Sequence, residues 1–227
     1  MNRYTIGLLG GTFDPIHYGH LRAAIEIYEY LKLNEIRLIP CNQPPHRANP
    51  IANAEQRLRM TKLATLGTEL KVDNCEMLRE GPSYTVDSLI SLRKEFPNDA
   101  LCLIIGVDAF LSLPSWHQWE KIIQLANIVV MHRNQWKMPT EGILAEFLSK
   151  HRLSLNENIN HFMAGKIIQC PITALAIAAS QIRTLIQNGL SPDFLLPEKV
   201  LNYIKQQGLY GYPKGHFYAE PKEITHL

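Results

Sequence analysis

The chain has 227 residues, 46% of them hydrophobic and 19% charged, with a formal net charge of +2. That length can bury a sizeable core, and the composition is ordinary for a soluble globular enzyme. So small a net charge argues against a general nucleic-acid or membrane binder, which needs a broad surface of opposite sign.

In chain order, Thr5 to Leu9 is a short apolar run bounded by Gly10-Gly11 and predicts a first strand. From His20 to Leu33 the residues Leu21, Ala24, Ile25, Tyr28 and Leu31 recur at helical spacing. Arg22, Glu26 and Glu29 fall opposite them, so this helix should have one wet side. Glu35 to Pro40 predicts a second strand, Cys41 to Pro50 a Pro-rich loop, and Ala54 to Leu66 a second helix. A third helix is expected over Tyr84 to Phe96. Leu101 to Ile105 and Ala126 to Met131 read as strands buried on both faces. Glu141 to Lys150 predicts another helix, followed by a variable loop and a strand around Ile167-Ile168. Two short helices close the pattern. Ser180 is expected to cap the first, which stops at Gly189; Pro197 opens the second, which stops at Gly208.

Strands alternating with helices predict an α/β fold with a doubly wound parallel sheet. Residues 1–210 are read as a single domain whose last part, about 170–210, is a small helical portion; 211–227 is read as a loose tail. Cysteines stand at 41, 75, 102 and 170 without a C-x-x-C pair, which fits a reducing cytoplasm better than a disulfide framework. The first strand begins too early for a secretory signal, and Ala174 to Ala179 is too short to span a bilayer. Ligands in such sheets bind at the strands' C-terminal edge, where strand order reverses.

The residues expected at that edge carry the chemistry. Gly10-Gly11-Thr12-Phe13-Asp14-Pro15-Ile16-His17-Tyr18-Gly19-His20 joins the first strand to the first helix. Glycines let backbone approach a ligand, and the helix N-terminus that follows is expected to offer free N–H groups to an anion. His17 and His20 should share a face and donate to phosphate oxygens, with Gly19 leaving room for a nucleotide. Ile177-Ala178-Ala179-Ser180-Gln181-Ile182-Arg183 opens the first C-terminal helix, and Arg183 can grip phosphate in two places. Ser83-Tyr84-Thr85-Val86-Asp87 opens the third helix, again an N-terminus suited to an anion. Gly106 ends a buried strand, so Asp108 should emerge at the edge and accept from a ribose hydroxyl. Trp116 could stack on a flat heterocycle, whereas Trp119 is expected in the core.

The first motif resembles the H-x-G-H signature of the nucleotidyltransferase superfamily. Its wider context resembles bacterial nicotinate mononucleotide adenylyltransferase. The second is similar to that family's I-S-S-T-x-I-R, with Ala178 and Ala179 standing where the family has hydroxyls. The third is similar to its S-Y-T-x-D, the fourth to its G-x-D…W-x-x-W, and Pro44-Pro45-His46-Arg47 to its P-P-H-[KR] loop. The resemblance implies a Rossmann-like domain that uses ATP as substrate and transfers its adenylyl group to nicotinate mononucleotide. Mg²⁺ would arrive through the substrate phosphates, with no fixed protein metal site. It assigns His17, His20 and Arg183 to catalysis. It gives ATP binding to Gly10, Gly11, Thr12, Phe13, Gly106, Asp108, Ser180 and Ile182. Mononucleotide binding falls to Tyr84, Thr85, Trp116, His46, Arg47 and Arg133. No nucleic-acid or membrane partner is implied, and the oligomeric state stays open. Two rivals remain at this point. One is a sister adenylyltransferase acting on pantetheine phosphate; the other is a non-catalytic nucleotide-binding module, suggested by Ala178 and Ala179.

Overall fold

The structure, a computed structural model, describes residues 3–44, 49–132, 139–154, 156–173 and 175–213. Six parallel strands form one sheet: β1 (Thr5–Gly11), β2 (Glu35–Pro40), β3 (Lys71–Val72), β4 (Ala100–Gly106), β5 (Asn127–His132) and β6 (Ile167–Pro171). Their order across the sheet is β3-β2-β1-β4-β5-β6. The chain winds outward from β1 through α1 (Tyr18–Tyr30), β2 and α2 (Ala54–Ala64) to β3. It then crosses back through α3 (Thr85–Glu95) to β4, on the other side of β1, and winds outward again. The direction reverses between β1 and β4, so their C-terminal ends leave a crevice open between them.

Side chains alternate across the two sheet faces, as a pleated strand requires. Ile6 and Leu8 of β1, with Leu101, Leu103 and Ile105 of β4, pack on one face. There they meet Val86, Leu89 and Leu92 of α3 and residues of α4 (Val107–Leu111), α5 (Trp119–Leu125) and α6 (Ile143–His151). Leu9, Cys102 and Ile104 face the other way, toward α1, α2, α7 (Ala179–Gln187) and α8 (Glu198–Gln207). The C-terminal helices therefore share the core under the sheet, through Ile182, Ile186, Val200, Leu201 and Ile204.

The α/β architecture and the strands at Thr5, Glu35, Leu101, Ala126 and Ile167 agree with the sequence reading to within a few residues. Several features differ, among them α4 and α5, for which the sequence reading named no element. β3 was not foreseen; it has two residues, one of them exposed, and carries no apolar run. α1 starts at Tyr18, two residues earlier than expected, because His17 caps it. α6 starts at Ile143, because Gly142 sits at φ 80° and interrupts the helix there. Ser180 does not cap α7: Ala178 holds the cap position, with no side-chain cap bond, and Ser180 is the second helical residue. Among the described residues no helix is long and apolar enough to cross a membrane.

Candidate active site

A cleft of about 1000 Å³ opens at the C-terminal ends of β1 and β4. Its walls include Gly10, Gly11, Thr12, Phe13, His20, Tyr84, Thr85, Gly106, Asp108, Trp116 and Arg183. One cleft thus gathers residues from four of the sequence motifs. Three expected site residues do not line it: His17, Ser180 and Ile182. Ile182 is fully buried in the core, and its N–H donates to the Ala178 carbonyl at 3.2 Å. His46, Arg47 and Arg133 lie outside the described residues.

The first motif builds a rigid histidine pair. His17 Nδ1 accepts from the Gly19 N–H at 3.1 Å, and His20 Nδ1 accepts from the His17 N–H at 3.3 Å. This is a capping box made from two imidazoles. With both Nδ1 atoms acting as acceptors, the neutral rings carry their protons on Nε2. The rings stack with centroids 3.7 Å apart, and Phe13 meets His20 edge-on at 5.0 Å. Burial pushes the His17 imidazole down to about 4, so it is neutral at physiological pH. Gly19 serves this arrangement directly: a Cβ there would stand 2.9 Å from His17 Nδ1. Likewise a Cβ on Gly11 would stand 2.5 Å from the Phe13 ring.

The expectation that α1 offers free amides to an anion is corrected. The Tyr18 N–H donates to the Leu195 carbonyl, Gly19 to His17 Nδ1, and both His20 and Leu21 to the His17 carbonyl. At α1 the donor toward the cleft is therefore the His20 imidazole. Unclaimed amides occur instead at α7 and α3. Neither has a side-chain cap. The N–H groups of Ala179 and Ser180, and those of Thr85 and Val86, make no hydrogen bond among the described residues. Both helices point these ends at the cleft, which Ala179, Tyr84 and Thr85 line. Each N-terminus carries partial positive charge and suits an anion. The alanines at 178 and 179 remove hydroxyls but leave the amides in place.

Arg183, in the second turn of α7, donates from Nη1 to the Asp14 main-chain carbonyl at 2.6 Å. Trp116 is half-buried on the cleft wall, while Trp119 packs edge-on against Phe147 at 5.0 Å, away from the cleft. Asp108 is exposed in the first turn of α4.

Several residues that shape the site were given no role by the sequence. Asp14 is buried; its carboxylate accepts from the N–H groups of Ile51 and Ala52 at 2.9 and 3.1 Å. Arg57 is 1% exposed and donates to the carbonyls of Ala52, Thr12, Cys41 and Asn42. It ties the first motif to the segment that enters the Pro-rich loop. Arg57 lies on the buried stripe of α2 with Met60, Thr61 and Ala64, which was the signal available in the sequence. Below α3, Ser88 donates to Glu76 at 2.7 Å and accepts from Arg79 at 2.7 Å. His117 lies on the cleft wall with its ring 4.5 Å from Tyr84.

Two helix N-termini, a histidine pair and an arginine at the switch point of a parallel sheet define a nucleotidyltransferase-type site. Residues 8–183 match the cytidylyltransferase-like family. Over 211 residues the chain is 44% identical to the probable nicotinate-nucleotide adenylyltransferase of Aeromonas salmonicida, covering 92% of this chain and 99% of that one. It is 47% identical to the corresponding Hahella chejuensis protein, covering 91% and 95%. The chain belongs to the nicotinate-nucleotide adenylyltransferase family. In fold it is similar to Plasmodium falciparum nicotinic acid mononucleotide adenylyltransferase solved in complex with NaAD, with TM-score 0.69 and 19% identity over 92% of this chain and 98% of that one.

Proposed function

We propose that this enzyme transfers the adenylyl group of ATP to nicotinate mononucleotide, giving nicotinate adenine dinucleotide (deamido-NAD) and pyrophosphate in NAD biosynthesis. The observation that carries this reading is the convergence on one cleft of His20, Arg183 and two uncapped helix N-termini. Two separate anions must be held: a triphosphate at α7, and the pyridine carboxylate at α3.

The mononucleotide phosphate is already an anion, so its oxygen attacks the α-phosphorus of ATP without a base. The bond from that phosphorus to the bridging oxygen breaks, and pyrophosphate leaves. Catalysis then rests on alignment and on neutralising negative charge. His20 and Arg183 face the triphosphate; His17, behind them, fixes the pose of His20. Ser180 contributes its amide at the second position of α7. Gly10 to Phe13 and Gly106 form the floor, and Asp108 accepts from a ribose hydroxyl. Trp116 stacks on the pyridine, and the Thr85 and Val86 amides receive its carboxylate. By family resemblance His46, Arg47 and Arg133 would close over the substrates.

The groups that face the triphosphate end are N–H donors and a guanidinium, which suit phosphate rather than a cation. Among the described residues no three His, Cys, Asp or Glu side chains converge. By family resemblance Mg²⁺ would come as the partner of the ATP phosphates, where it would neutralise charge on the departing pyrophosphate. Residues 1–210 are read as one catalytic unit. Free thiols at Cys41, Cys75, Cys102 and Cys170 suit a cytoplasmic setting.

Pyrophosphate release from ATP and Mg²⁺ with nicotinate mononucleotide, the amide mononucleotide and phosphopantetheine, run in parallel, tests this. The acid should give the highest kcat/KM. A higher value for the amide would refute the carboxylate subsite, and release with phosphopantetheine would move the chain to the sister activity.

A further inference from the structure

The first motif is held from the far end of the chain. After α8 the backbone makes a short turn, Leu209–Gly211, in which Tyr210 adopts φ 60° and ψ 21°. Left-handed backbone is disfavoured for a residue with a bulky side chain, and it persists where the surroundings enforce it. Here the ring is 3% exposed, packed in the core beneath the sheet. Its hydroxyl donates to Asp14 Oδ1 at 2.7 Å, across 196 residues of sequence.

Asp14 is where this contact becomes chemical. Its Oδ1 also accepts from the Ala52 N–H, its Oδ2 accepts from the Ile51 N–H, and its main-chain oxygen holds Arg183 Nη1 at 2.6 Å. Oδ2 stands 3.9 Å from the same Nη1. Arg183 is thus anchored on a neutral carbonyl, with a carboxylate close enough to compete for its charge. Among the described residues three donors fix that carboxylate, and Tyr210 supplies the only side-chain donor of the three.

We propose that Tyr210 is a positioning residue for adenylyl transfer: its hydroxyl holds the Asp14 carboxylate off Arg183. The guanidinium then stays on the Asp14 carbonyl with its charge directed at phosphate. Without the hydroxyl, Oδ1 keeps one donor, and the buried carboxylate turns toward the nearest cation, Arg183, where attraction is strong because water is scarce. The proposal rests on the adenylyl-transfer reading above.

Tyr210→Phe keeps the ring and removes only the O–H. In the pyrophosphate assay its kcat should fall about tenfold, with KM for the mononucleotide within about twofold of wild type, because the affected group acts on the transition state. In an Arg183→Ala background the same change should alter kcat by less than about twofold, since the side chain it acts through is gone. A Tyr210→Phe enzyme with unchanged kcat overturns the proposal. An equal loss in both backgrounds also overturns it, because a loosened fold acts independently of Arg183. A wild-type chain that releases no pyrophosphate sinks the transfer reading and this proposal together; an active wild type with an unaffected variant sinks the proposal alone.

Discussion

Arg57 shows how one side chain can hold a loop system. It is fully buried, has no carboxylate bonded to it among the described residues, and satisfies four carbonyls. Burial disfavours its charge and lowers its pKa, yet the four acceptors suit a cation well. Replacement by methionine keeps the volume and strands those carbonyls, so Arg57→Met should cost roughly 3 kcal/mol or more in urea unfolding. A loss below about 1 kcal/mol would mean that the loop does not depend on it. At His20 the expectation is different. His20→Ala removes a donor toward the phosphates and half of the α1 capping box, so kcat should fall by about 10²–10³ while unfolding loses only about 1 kcal/mol. At this scale the sequence was legible for which motif residues meet in one cleft, as for His20, Arg183 and Trp116. It was silent on Asp14 and Tyr210, because a bond between residues 14 and 210 exists only once the chain is folded.

Helix termini carry the next layer. Ser180 looked like a cap because serine is favoured there, but the cap falls two residues earlier, at Ala178, whose side chain makes no cap bond. That leaves the amides of α7 for a ligand. Ala179 is the first helical residue and follows an extended Ala178 (φ −124°, ψ 141°), a setting that accepts proline. Ala179→Pro should therefore leave thermal stability unchanged or slightly raised, while removing one N–H from the cleft and raising KM for ATP about tenfold. An unchanged KM would show that phosphate is held elsewhere. At α1 the cap is His17 itself, and its folded pKa of about 4 lies below the ordinary 6.5. The unfolded chain then binds the proton more readily between those values, so the His17 contribution is complete above pH 6.5 and is lost as pH falls toward 4. Asn also caps helices but does not titrate. Chemical denaturation of His17→Asn between pH 7 and 4 should show a shallower fall than wild type, and parallel curves would contradict this.

Across the whole molecule, the reversal of strand order between β1 and β4 places the N-termini of α3 and α7 on one crevice. This was legible because β1, β4 and β5 are apolar runs buried on both faces, a pattern few other folds produce. β3 escaped notice because two residues at a sheet edge carry no such pattern. The C-terminal helices complete the same core, so the motif arginine on α7 is held by the sheet and not by a separate lobe. Since one cleft spans both sites, the dinucleotide product should stabilise the fold more than either substrate alone. At about 100 times its Kd the gain is about 2.7 kcal/mol, readable as a rise in melting temperature. The most direct measurement is single-turnover formation of the dinucleotide from ATP and nicotinate mononucleotide, followed by mass spectrometry in wild type and Arg183→Ala. The account predicts a dinucleotide with its pyrophosphate co-product in wild type, formed at least about a hundredfold more slowly in the variant. Equal rates in the two proteins, or ATP bound without any dinucleotide formed, would contradict it.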